Sequence, residues 1–274
     1  MAVVVMLNQK GGVGKTSTCH HLAGTVALSG RRVLLVDNDP QASLTQGFFG
    51  PQATRQFAPA ETIAALYAGD EPFPEQVIRP TGFVGIDLVP GSKYATEHNV
   101  PMPHRAPREL QTCLRDFLDD DLRRRYDLVL IDCPPNLHLC SWAALVASEH
   151  LIVPLQPEDY GAQGIIEVQE SIDLVRAGAN PGLGLLGYLL TMYNPRLSIH
   201  QMYEKLLREL YGDDVFATKV PIAADYKEAI AGRKPIALHK PKGAPAKVVK
   251  ALADEVDRRL VERSQFRAET KGAA

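Results

Sequence analysis

A chain of 274 residues, 45% of them hydrophobic, holds enough apolar material for one α/β domain with a full core, and its length does not require two. A formal net charge of -2 excludes a polycation that coats nucleic acid over its whole surface, so any nucleic-acid site must be local. Four scattered cysteines, Cys19, Cys113, Cys133 and Cys140, include no Cys-x-x-Cys pair, which argues against a disulfide framework or a zinc site and fits a reducing cytoplasm.

In chain order, the first predicted strand is Val3 to Asn8, too short and too lightly flanked by basic residues to read as a signal peptide or membrane span. A glycine-rich run separates it from a predicted helix at Lys15 to Leu28, and a second strand follows at Val33 to Asp37. Gly47 to Arg108 is dense in proline and glycine, with a helix expected only near Glu61 to Tyr67 and a strand at Ile86 to Pro90; it reads as a long surface excursion. Then come a helix at Pro107 to Leu118, strands at Leu128 to Asp132 and Leu151 to Leu155, and a helix at Ala162 to Arg176. A strand at Leu185 to Met192 and helices at Ile199 to Tyr211 and Pro245 to Arg263 complete the series. Apolar runs on both faces of the strands, alternating with amphipathic helices, predict an α/β fold: a doubly wound, mostly parallel sheet flanked by helices on both faces. The whole is expected as one domain over residues 1–274, with the excursion at about 47–108 and a C-terminal helix at about 245–265. Because the sequence opens directly on a strand, no N-terminal DNA-binding module is expected.

The chemistry concentrates in Asn8-Gln9-Lys10-Gly11-Gly12-Val13-Gly14-Lys15-Thr16-Ser17, between the first strand and the first helix. Glycines let backbone N–H groups turn toward one anion, and the helix N-terminus adds its positive end. Lys15 reaches the outer phosphates and Thr16 offers its hydroxyl to Mg²⁺, so ATP and Mg²⁺ are the expected ligands of Gly11, Gly12, Val13, Gly14, Lys15, Thr16 and Ser17. The usual phosphate loop has glycine where this chain has Gln9, and here a second lysine, Lys10, follows. A cation added to a loop already wrapped around phosphate needs an anion to meet; the alternative is a solvated surface lysine.

The run Lys10 to Thr16 resembles the deviant Walker A loop of the ParA/MinD ATPases, in which the first lysine reaches the nucleotide of the other subunit of a dimer. Leu34-Leu35-Val36-Asp37-Asn38-Asp39-Pro40-Gln41 resembles the second-strand motif of that family. By that match Asp39 orients the attacking water and Asp37 supports Mg²⁺ and its waters, although acids at such a position also cap helices. Tyr126-Asp127-Leu128-Val129-Leu130-Ile131-Asp132-Cys133-Pro134-Pro135 has the Walker B arrangement, with Asp132 holding a water of the Mg²⁺ shell; the family often has Ser where this chain has Asn136. Leu190-Thr191-Met192-Tyr193-Asn194 and Val220-Pro221 resemble the segments that hold adenine, pointing to Met192 and Pro221. The resemblance covers nearly the whole chain. It implies a homodimer formed on ATP binding, slow hydrolysis raised by a ParB-like partner, Lys10, Lys15 and Asp39 as the catalytic set, and a cytoplasmic, nucleoid-associated protein that partitions DNA or positions a protein cargo.

Between Lys219 and Lys250 eight Lys or Arg face two acids, Asp225 and Glu228, a local excess that suits sequence-independent phosphate contacts or is simply a solvated face. Candidate double-stranded DNA contacts are Lys227, Arg233, Lys234, Lys240 and Lys242, with Arg196, which matches a basic position of the DNA-binding members. Against this, the run Pro221-Ile222-Ala223-Ala224-Asp225 lacks two arginines that many relatives carry there. The tail Glu262 to Lys271 has no apolar stripe, so a MinD-like membrane helix is not expected. An electron carrier like the nitrogenase reductase would need two suitably placed cysteines per subunit, and a ligating enzyme a second catalytic constellation. His20 and His21 read as packing residues.

Overall fold

The computed structural model describes residues 2–157 and 161–272. Strands β1 (Ala2–Met6), β2 (Val33–Asp37), β3 (Arg79–Pro80), β4 (Ile86–Val89), β5 (Leu128–Asp132), β6 (His150–Leu155) and β7 (Gly184–Leu190) form one sheet in the order β3-β4-β2-β5-β1-β6-β7. All neighbours run parallel except β3 and β4. The helices are α1 (Lys15–Ala27), α2 (Ser43–Gln56), α3 (Ile63–Ala68), α4 (Pro74–Val77), α5 (Arg108–Phe117), α6 (Asp120–Arg124), α7 (Leu139–Ala147), α8 (Gly161–Ala177), α9 (Ser198–Tyr211), α10 (Ala224–Ala231), α11 (Ile236–His239) and α12 (Ala244–Gly272).

Alternation along the strands builds two apolar layers. Val3, Val5, Leu34, Val36, Val129 and Ile131 join one core with side chains of α3, α5, α7 and α8. Val4, Met6, Val33, Leu35, Leu128 and Leu130 join the other, against α1, α2 and α12. Both faces of the central strands are therefore covered, which is why they read as continuous apolar runs. The fold is the expected doubly wound α/β sheet.

The stretch expected as a surface excursion is different in kind. Residues 47–108 carry the rest of α2, α3, α4, β3, β4 and short 3₁₀ turns, and Ile63 and Tyr67 are among the most buried side chains. The helix α3 and strand β4 lie where they were expected, near Glu61 to Tyr67 and at Ile86 to Pro90, but the packing of the stretch into the core was obscured by two local causes. Gly50, at φ 80° and followed by Pro51, breaks α2 and its apolar period, while α3 has only six residues between the Thr62 cap and Gly69 at φ 81°. Helix α7 also escaped pattern reading, because all nine of its residues are buried and a helix without a polar face has no period to detect. At the other end α12 runs to Gly272, beyond the expected stop near residue 265.

His20 and His21 are packing residues, as expected, and their burial makes them acid-sensitive. His20 Nε2 donates to the Gly47 carbonyl (3.3 Å), His21 Nδ1 accepts the Ile236 N–H (3.0 Å), and the two Nδ1 atoms lie 3.4 Å apart. Burial lowers His20 to about 4 and His21 to about 3, from an ordinary value of 6.5. Both stay neutral in the fold and charge on unfolding. Their contribution is thus complete above pH 6.5 and is lost as pH falls, toward about 4 for His20 and about 3 for His21. The slope is about 1.4 kcal/mol per pH unit for each histidine. Asp37 and Asp132, raised by burial, titrate with the opposite sign. The expected result is therefore a difference: a His20→Gln, His21→Asn variant loses less thermal stability between pH 6.5 and 5 than the parent. Parallel melting curves would contradict the assignment.

Candidate nucleotide-binding site

Strand register assembles the site before any side chain is considered. In the parallel ladders Met6 lies beside Asp132, and Asp132 beside Asp37, so two acids end adjacent strands next to the loop leaving β1. Both are fully buried. Crevices of this kind, at the carboxyl ends of parallel strands, are where open α/β sheets bind ligands.

The loop from Asn8 to Ser17 is held from below. Asn8 Nδ2 donates to the Pro154 carbonyl (2.7 Å) and its Oδ1 accepts the Lys10 N–H (2.9 Å). The Thr191 hydroxyl, at the end of β7, donates to the Val13 carbonyl (2.8 Å). Gly12 and Gly14 sit at φ 79° and 85°, a conformation open to glycine at little cost. Gly14 opens α1 with no side-chain cap, leaving the first-turn amides, including those of Thr16 and Ser17, to a ligand. Lys15 is buried and folds back, its Nζ donating to the carbonyls of Asn8 (2.9 Å) and Lys10 (3.1 Å). Burial lowers its pKa despite the opposing charges of Asp132 and Asp39. A desolvated ammonium resting on two neutral carbonyls is poised for an anion. Lys10 is half-buried on the same loop, and Gly11 lies against Pro135 of the turn after β5.

The acids differ in what holds them. Neither carboxylate oxygen of Asp132 has a well-formed hydrogen bond among the described residues. Burial and the charge of Asp37 push its pKa far up, with the Thr16 hydroxyl pulling the other way. Asp37 Oδ2 accepts from the Thr45 N–H (2.7 Å) and hydroxyl (2.6 Å), which ties it to the first turn of α2, while among the described residues Oδ1 meets only the Asp39 N–H, at 3.4 Å. The helix-capping reading of Asp37 thus has contacts of its own, and one oxygen is left loosely held. Asp39 is 8% exposed; Oδ1 accepts the Gln41 N–H (2.9 Å), and burial raises its pKa while Lys15 lowers it.

Three desolvated carboxylates beside a desolvated lysine and unused helix amides fit a magnesium nucleotide. Among the described residues no group of three or more acids, histidines or cysteines closes a metal site alone. That suits Mg²⁺, which keeps waters and substrate phosphates among its ligands. On the far side of the loop, Tyr193 is bridged to Pro221, the Tyr193 N–H donates to the Val220 carbonyl (3.0 Å), and Met192 stands at φ 51°. Met192 is thus next to the residue bridged to Pro221, and the strand end that carries Thr191 lies alongside the Val220-Pro221 segment.

The basic stretch is less basic in space than in sequence. Lys240 is paired with Asp225 (2.5 Å) and Glu228 (2.9 Å), Lys219 with Glu204 (2.8 Å) and Lys250 with Asp254 (2.8 Å). Lys227, Arg233, Lys234 and Lys242 are exposed, as is Arg196 at the approach to α9. Arg233 lies over the Gly50 backbone, where a Cβ would come within 2.5 Å of its guanidinium. Sequence reading missed Asn8, Thr45 and Thr191 as supports of the site. The only available signal was a polar residue at each strand end or first helical turn.

The first 185 residues match a family model described as an AAA domain. The chain is 39% identical to the chromosome-partitioning ATPase Soj of Thermus thermophilus, over 94% of this chain and 96% of that protein. It is 36% identical to the chromosome partitioning protein ParA of Myxococcus xanthus, over 97% and 91%. Among solved structures, cobyrinic acid a,c-diamide synthase from Mycobacterium smegmatis with a bound ATP analog and magnesium superposes with a TM-score of 0.76 at 28% identity, covering 93% of each chain. On this identity over nearly its whole length, the chain belongs to the ParA/Soj family of P-loop partitioning ATPases, with ATP and Mg²⁺ as its ligands.

Proposed function

We propose that the protein is an ATP-driven dimerising switch that partitions DNA, hydrolysing ATP slowly until a ParB-like partner accelerates it. The observation that carries this reading is the second loop lysine. Lys10 takes the place after Gln9 on the loop whose own Lys15 already serves the phosphates of its subunit, so Lys10 is assigned to the nucleotide of a second copy.

Phosphoryl transfer asks a protein mainly for positioning and charge. Mg²⁺, when bound, neutralises charge on the phosphate oxygens. Lys15 would leave its two carbonyls for the outer phosphates, the α1 N–H groups would donate to phosphate oxygens, Thr16 and Asp132 would hold the metal and its waters with Asp37 behind them, and Asp39 would orient the attacking water. The amide-forming activity in the name of the Mycobacterium smegmatis protein would need a second substrate-activating constellation; the sequence relatives named for partitioning favour the switch.

DNA binding is assigned to a basic face that would comprise the exposed Arg196, Lys227, Arg233, Lys234 and Lys242. Lys240 is a weaker contributor, because Asp225 and Glu228 engage it. Dimerisation doubles this face. An electrophoretic shift of double-stranded DNA is expected with ATP and to be weak without it. Arg196→Glu or Lys234→Glu should weaken binding uniformly across sequences and lower the log–log salt slope by about 0.9 per lost contact. Turnover without DNA should stay unchanged. An ATP-locked dimer that fails to shift DNA at low salt would make the face a solvated one.

A further inference from the structure

Four buried or half-buried side chains unused above form a continuous polar chain beside Asp39. Asn38, between Asp37 and Asp39, is fully buried. Its Nδ2 donates to the Cys140 carbonyl (2.7 Å) and its Oδ1 accepts the Tyr67 hydroxyl (2.8 Å). The N–H of the same Cys140 donates to Asn99 Oδ1 (3.0 Å), and Asn99 Nδ2 donates to Asn136 Oδ1 (3.3 Å). Cys140 stands in the first turn of α7, and both of its backbone polar groups are engaged, the carbonyl by Asn38 and the N–H by Asn99. Asn38 belongs to the motif that carries Asp39, and Asn136 to the turn after Asp132. Tyr67 and Asn99 come from the 47–108 stretch. The Asn38 N–H also donates to the Asp132 carbonyl (2.9 Å), which joins the two motifs directly.

We infer that Asn38 and Asn99 are positioning residues for ATP hydrolysis, holding Asp39 and the turn after Asp132 in register across the first turn of α7, with Tyr67 fixing the Asn38 amide. An amide that donates at one end and accepts at the other has one satisfied orientation, so the Tyr67 and Cys140 bonds together fix the Asn38 side chain. Asp39 is the next residue. Among the described residues its carboxylate makes one hydrogen bond, to Gln41 N–H, and otherwise depends on this backbone for its aim. Displacing a catalytic group by about 1 Å costs on the order of a hundredfold in rate. An apolar filling of the same volume would hold the fold equally well, whereas the paired amides specify where the loop stops. The role assigned to residues 62–100 follows: they brace the hydrolytic motifs from behind.

This inference rests on the proposed ATPase reading, and the test separates the two. Turnover, ATP affinity and thermal midpoint are compared for the parent, Tyr67→Phe, Asn38→Leu and the Asn38→Leu, Tyr67→Phe double variant. In the double variant both partners of one bond become apolar, which restores stability toward that of the parent while leaving Asp39 unguided. The expected result is ATP affinity within about threefold of the parent, a midpoint above that of Asn38→Leu alone, and turnover reduced at least about tenfold. Should the double variant fold poorly, Tyr67→Phe carries the test: a two- to fivefold drop in kcat at unchanged KM is expected. Turnover that recovers along with stability in the double variant, or a Tyr67→Phe protein with unaltered kcat, overturns the positioning role. A parent protein without ATPase activity overturns the parent reading instead.

Discussion

Replacing Lys15 with alanine is expected to abolish ATP binding at micromolar nucleotide. Lys15 is desolvated, and among the described residues its hydrogen bonds go to two backbone carbonyls, so it gains a phosphate partner at little reorganisation cost. Losing a buried charge-assisted interaction of about 3 kcal/mol weakens binding by roughly a hundredfold. Lys10→Ala is expected to differ in kind, leaving ATP affinity near that of the parent and removing ATP-dependent association. Titration calorimetry separates the pair: equal losses of affinity in both variants would merge two roles that the loop keeps apart.

The second large effect belongs to Asp39. Asp39→Ala should bind ATP, associate, and remain associated, with turnover reduced by roughly two to three orders of magnitude, the range for losing one group that acts on the transition state. Affinity is spared because Asp39 faces Lys15 with one oxygen already spent on Gln41 N–H and raised in pKa by burial. Single-turnover hydrolysis with radiolabelled ATP measures it directly. Turnover equal to the parent would remove Asp39 from the chemistry, and lost affinity would reassign it to the metal shell.

What could be read from the chain alone was whatever chemistry repeats locally. The glycines, Lys15 and Thr16 sit within one loop, and Gly12 and Gly14 announce a conformation that few other residues accept. Asp37 and Asp132 were legible because each ends an apolar run, and parallel pairing then places them side by side. Contacts between distant segments were not. Thr191 reaches Val13 across 178 residues and Asn38 reaches Cys140 across 102, distances that only the strand order brings together. The same limit explains the overcounted charge of the basic stretch: Glu204 and Asp254, which engage Lys219 and Lys250, lie outside it, and the pairing of Lys240 with Asp225 is a matter of fold rather than of spacing. The 47–108 stretch was misread for a related reason. Its prolines and glycines keep the helices short, and although α3 lies where a helix was expected, nothing in so short a piece announced that Ile63 and Tyr67 reach the core.

The switch stands or falls on whether ATP joins two copies through Lys10. The decisive measurement is sedimentation equilibrium with ATP and Mg²⁺ on Asp39→Ala and on the Lys10→Ala, Asp39→Ala double variant, so that neither sample is lost to hydrolysis. Twice the chain mass is expected for the first and the monomer mass for the second, with nucleotide bound in both. A double variant that dimerises as well as Asp39→Ala, or an Asp39→Ala protein that stays monomeric with ATP bound, would contradict it.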